Sequence, residues 1–94
     1  MKRCYPIVIH KDPDSDFGVT VPDLPGCFSA GSTFEEALTM AREAIEGHLL
    51  VREDFGQGVP EPSPVEQHLN DPTFADGIWA LVEAELPELT PVAA

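Results

Sequence analysis

Positive charge is what this sequence has least of. Five Lys and Arg stand against seventeen Asp and Glu, for a formal net charge of -12. The shortage is uneven: no Lys or Arg follows Arg52, while Glu53, Asp54, Glu61, Glu66, Asp71, Asp76, Glu83, Glu85 and Glu88 do. Nucleic-acid binding depends on cations that neutralise phosphates, so direct DNA or RNA binding is not expected of this chain. A basic protein would instead be steered toward it. Charge alone favours the plainer role of keeping the chain in solution.

Cysteine and long apolar runs are also scarce. The two cysteines, Cys4 and Cys27, make no metal-ligand spacing, and packed thiols in a reducing compartment are the expectation. No apolar stretch approaches the ~20 residues of a membrane span. Lys2 and Arg3 lead into a short apolar run broken by Pro6, which does not read as a signal peptide, so a soluble, cytoplasmic protein is expected.

What is present is enough for one domain. The chain has 94 residues, 43% of them hydrophobic, which supports a core. A chain this short buries only about two-thirds of its unfolded surface, so a partner or a second copy would add stability.

Residues 3–10 (RCYPIVIH) alternate as a strand, with Tyr5, Ile7 and Ile9 on one face. The polar turn Lys11-Asp12-Pro13-Asp14-Ser15-Asp16 leads to a second strand with Phe17, Val19 and Val21 on one face. Pro25-Gly26 fits the middle of a type II turn before a short strand, Cys27-Phe28-Ser29-Ala30. Ser32-Thr33-Phe34-Glu35 reads as a capping box in which the Ser32 hydroxyl receives the Glu35 N–H. The helix it starts runs to about Phe55, with Phe34, Leu38, Ala41, Ile45 and Leu49 as its apolar stripe and Gly56 as its stop. Ser63-Pro64-Val65-Glu66 suggests a short second helix, and residues 78–85 a last strand. The expected fold is α/β of the α+β kind, ordered β-β-β-α-(α)-β. One main helix packs on one sheet face, and a right-handed crossover brings the last strand beside the first. An edge strand left open would invite pairing with another copy, a dimer or tetramer.

The run Gly18-Val19-Thr20-Val21-Pro22-Asp23-Leu24-Pro25-Gly26-Cys27-Phe28-Ser29-Ala30-Gly31, followed by Thr33-Phe34-Glu35-Glu36-Ala37, closely resembles the HicB antitoxin signature. Ala41-Arg42-Glu43-Ala44-Ile45 and Asp76-Gly77-Ile78-Trp79-Ala80-Leu81-Val82 resemble later family blocks, so the similarity covers about residues 4–85. The resemblance implies a partial RNase-H-like fold without nuclease activity. It also implies a partner, the small basic toxin HicA, which cuts mRNA with a histidine and is masked by the antitoxin. Many family members carry a C-terminal DNA-binding segment. This sequence stops at Ala94, so the expected organisation is a HicB-like domain over 1–85 and a tail over 86–94 without DNA-binding function.

No catalytic residue, metal site or cofactor is expected. An RNase-H-type centre needs carboxylates grouped on the sheet, and Tyr5-Pro6-Ile7-Val8-Ile9 offers none. The Asp12–Asp16 turn lacks the glycine of a calcium loop, having Phe17 at its sixth position. His10, His48 and His68 share no ligand spacing, and Trp79 is expected in the core beside Leu81. The carboxylates expected to meet a cationic toxin are Asp14, Asp16 and Asp23 in turns and Glu43 and Glu46 on the helix. A stand-alone oligomeric module that binds a ligand or a protein, without a toxin partner, is the alternative.

Overall fold

A computed structural model describes residues 2–86; the rest of the expected C-terminal tail, residues 87–94, lies outside the described residues. Four strands form one sheet: β1 (Lys2–Lys11), β2 (Phe17–Thr20), β3 (Phe28–Gly31) and β4 (Ile78–Glu85). Their spatial order is β3-β2-β1-β4, and every pairing is antiparallel. The last strand therefore does lie beside the first. It runs opposite to it, so the handedness rule for parallel crossovers does not govern this connection.

Alternation along β1 sorts the sheet into two faces. Tyr5, Ile7 and Ile9 point toward the helix α1 (Phe34–Asp54) and join Val19, Val82 and Ala84 in the core. From the helix, Ala37, Ala41, Ile45 and Leu49 are buried against them, with Phe34 and Leu38 half-buried at the margin. Ala37 replaces the bulkier side chains at the crossing with β3. There the Gly31 backbone comes so close that an added Cβ would lie 2.3 Å from the Ala37 nitrogen.

The capping residue is Thr33, one position later than the sequence suggests. Its hydroxyl receives the Glu36 N–H at 3.0 Å, and Glu36 reaches back to the Ser32 N–H at 2.9 Å. Thr33 has the extended backbone (φ -126°, ψ 163°) that a cap requires. At the far end, Phe55 caps the helix and Gly56 adopts φ +66°, a left-handed stop. Between β2 and β3, Gly26 has φ +86° inside a turn closed by Cys27 N–H to Leu24 O at 2.9 Å, as a type II turn requires.

The second helix is reduced to two short 3-10 turns, Val65–Gln67 and Pro72–Phe74. Prolines 60, 62, 64 and 72 leave too few uninterrupted residues for an α-helix. This segment covers the sheet face opposite α1. Val8 is fully buried there although it points away from the helix. A Cβ on Gly77, the residue before β4, would lie 2.2 Å from Val8 Cγ2, so the chain enters β4 close against this face of β1. Pro6 is buried on the same face, on a stretch of β1 that pairs with β4 but not with β2.

Candidate partner-binding surface

The five expected acids do not form one patch. Asp14 and Asp16 are exposed in the β1–β2 turn, where Asp14 adopts φ 63°. Glu43 is exposed on α1 and borders a groove with Phe28 and Val51. Glu46, one turn on, leans the other way. It receives the Glu85 N–H at 2.8 Å and pairs with Arg42 at 3.8 Å, tying the helix to the end of β4.

Asp23 faces inward. Its side chain is only 10% exposed, and both oxygens are engaged by Ser63: the backbone N–H donates to Oδ2 at 2.8 Å and the hydroxyl to Oδ1 at 2.5 Å. His68 Nε2 lies 2.7 Å from the same hydroxyl. With the carboxylate ionised, the single Ser63 proton goes to Asp23, and His68 is the donor to Ser63. Asp23 thus fastens the cover segment to the β2–β3 loop. The order of contacts also differs from a hydrolase triad, where histidine stands between serine and acid and takes the serine proton.

Trp79 departs from the expected core position. The buried residues of β4 are Val82 and Ala84, so Trp79 and Leu81 fall on the opposite face. Trp79 stacks on His68 at 5.5 Å and packs edge-to-face with Phe74, so the cover rests on this β4 side chain. Leu81 is left 63% exposed.

All five cations are engaged within the molecule. Lys2 pairs with Glu83, Arg3 with Glu61 and Arg42 with Glu46; Arg52 donates to the carbonyls of Gly58 and Gln57; Lys11 lies over the Phe17 ring. Among the described ion pairs, none involves Asp14, Asp16 or Glu43. The outward field is therefore acidic, and strongest where carboxylates have no counter-charge. Among the described residues, no group of three or more His, Cys, Asp or Glu is arranged to hold a metal ion. No helix among them is long and apolar enough to cross a membrane.

Sequence reading passed over Phe28, treating it only as a strand residue. It is 66% exposed on edge strand β3, opposite the helix face. The signal was available: Phe28 falls out of phase with the inward residues of the hairpin, on a strand too short to bring its own cover.

The model of the HicB-like antitoxins of bacterial toxin–antitoxin systems matches residues 5–93. The chain belongs to this family. Among solved structures, the HicB-like chain is similar to the N-terminal domain of the Burkholderia pseudomallei antitoxin HicB. They share 40% identity with a TM-score of 0.78 over 89% of this chain and 100% of that one. It is also similar to a chain of the HicA3 and HicB3 toxin–antitoxin complex, with 31% identity and a TM-score of 0.73 over 92% of this chain and 100% of that one. A 14.9 kDa protein from the rep–hol intergenic region of Haemophilus phage HP1 is 42% identical over 85 residues. The match takes in 90% of this chain, which spans 63% of that relative's length. The α+β fold, with one helix on a four-stranded antiparallel sheet, is that of HicB N-terminal domains.

Proposed function

We propose that this HicB-like chain binds a HicA-like mRNA-cleaving toxin and neutralises it by covering its RNA-binding and active surface, without catalysing a reaction itself. The observation that carries the reading is the likeness of the whole described fold to a chain of the HicA3 and HicB3 complex. The electrostatics support it. An RNA-cutting enzyme presents cations to phosphate, and here every lysine and arginine has a contact within the fold, while Asp14, Asp16 and Glu43 take part in none of the ion pairs among the described residues. Of the five acids, Asp14, Asp16 and Glu43 are the direct contacts in this reading. Asp23 and Glu46 serve inside the fold.

The non-catalytic part of the reading rests on β1. If the sheet is taken as a partial RNase-H-like one, its first strand, KRCYPIVIHK, has no carboxylate with which to begin a metal centre. The protein would work in the cytoplasm, where HicA-like toxins meet mRNA, with residues 1–85 as the folded unit.

Self-association belongs to the same reading. Among the described residues β4 pairs only with β1, and Ile78 and Leu81 are exposed along it. The groove beside Leu81 contains both Arg42 and Glu83, so two copies can meet there without facing only like charge.

The test is co-expression with the product of the adjacent reading frame. Arrest of growth by that product alone, rescue by this chain and co-purification of the two are expected. A harmless neighbour that does not co-purify would favour a stand-alone binding module.

A further inference from the structure

Phe28 stands as a wall between two grooves. On one side is a cleft of about 610 Å³ bordered by His10, Asp12, Leu24, Pro25 and Phe74. On the other is a shallower groove of about 300 Å³ along α1, bordered by Glu43, Gly47, His48 and Val51. No lysine or arginine lines either groove, and each contains one carboxylate, Asp12 or Glu43. Apolar walls, aromatic rings and a carboxylate together suit a long cationic side chain. The aliphatic stem lies on the wall, and the charged head meets the acid and the ring faces. Gly47 adds no side chain to the second groove, and a Cβ built there would stand in open space, with nothing within 4 Å.

Resting on the toxin reading above, we propose that these two grooves are the docking surface for the basic partner protein. Phe28 is the central anchor, and an arginine or lysine of the partner occupies the Asp12 cleft. A second copy of this chain is the poorer occupant, because each of its five cations already has a contact within its own fold that it would have to give up. The β4 edge is the contrasting surface: its groove already contains Arg42.

The experiment is a calorimetric titration of the full chain against the purified product of the adjacent reading frame. Phe28→Ala and Asp12→Asn are compared with Glu66→Gln, which removes the same charge from the exposed cover segment. The expected result is at least about tenfold weaker binding for Phe28→Ala. A smaller loss for Asp12→Asn should fade at high salt, and Glu66→Gln should bind as the parent does. Circular dichroism and Tm should be unchanged in all three. If Phe28→Ala fails to fold, Asp12→Asn against Glu66→Gln decides the question. Parent binding with both groove variants unaffected overturns the docking surface alone. No binding by the parent chain overturns the toxin reading and the surface with it.

Discussion

Ser63 grips both oxygens of the Asp23 carboxylate, one through its backbone N–H and one through its hydroxyl, across forty residues of chain. A charge-assisted, two-point contact of this kind is strong and directional. It holds the proline-interrupted cover where helical hydrogen bonds cannot. Asp23→Ala should therefore destabilise the fold by about 1–3 kcal/mol, the cost of leaving a part-buried donor without its partner. Denaturant unfolding checks the magnitude. Hydrogen exchange should show the loss of protection concentrated at Ser63 and in the cover over Trp79. Uniform loss across β1 and α1 would contradict a local fastening.

Gly31 is a place where only glycine fits. A Cβ there would lie 2.3 Å from the Ala37 nitrogen and 2.7 Å from its Cα, both backbone atoms that cannot swing aside. Gly31→Ala should cost about 3 kcal/mol or more, at the upper end of overpacking effects. Gly47→Ala, with open space around it, should instead stabilise the helix by up to ~1 kcal/mol. Thermal unfolding of the two variants should move in opposite directions.

The cap can be tested by its frame. Thr33→Ala removes the acceptor for the Glu36 N–H and should cost about 1 kcal/mol. Ser32→Ala leaves that bond intact and should cost less. The reverse ranking would restore Ser32 as the capping residue.

Alkaline pH should weaken the fold in a defined sense. Burial pushes the Tyr5 phenol above its ordinary 10.0 and the Cys27 thiol above its ordinary 9.0. The folded chain then keeps these protons where the unfolded chain has released them. Their contribution is complete below the ordinary values and lost as pH rises through the folded ones. Tm should hold to about pH 9 and then fall. Tyr5→Phe should flatten the upper part of that fall, although it also loses the 2.7 Å bond to the Pro60 carbonyl. Under native conditions a thiol reagent should modify exposed Cys4 quickly and buried Cys27 only as the protein opens.

Local patterns were legible in the sequence. Alternation located β1 and β2, and residues 78–85 coincide with β4. The three-and-four spacing identified Ala41, Ile45 and Leu49 as the buried stripe. Errors arose where distant contacts decide the outcome. Trp79 alternates correctly along β4, but which face is the main core depends on where α1 packs, and Leu81 is a poor guide to that. Asp23 looked like an exposed turn carboxylate because nothing near it in sequence announces Ser63. The cap lies one residue later than expected because Ser32 and Thr33 are both competent, with Glu35 and Glu36 both three residues on, and nothing local in the sequence separates the two frames. For the candidate surface, the sequence offers acids chosen by charge alone, of which Asp23 and Glu46 turn out to be engaged within the fold, while Phe28 needed the fold to show it standing uncovered.

The most direct measurement of the central claim is titration of this chain into an RNA-cleavage assay of the adjacent-frame protein. The account predicts that cleavage falls in proportion to added chain and stops at a fixed stoichiometry, with inhibition weakening as salt is raised. Undiminished cleavage at saturating chain, with the two proteins failing to associate, would contradict it.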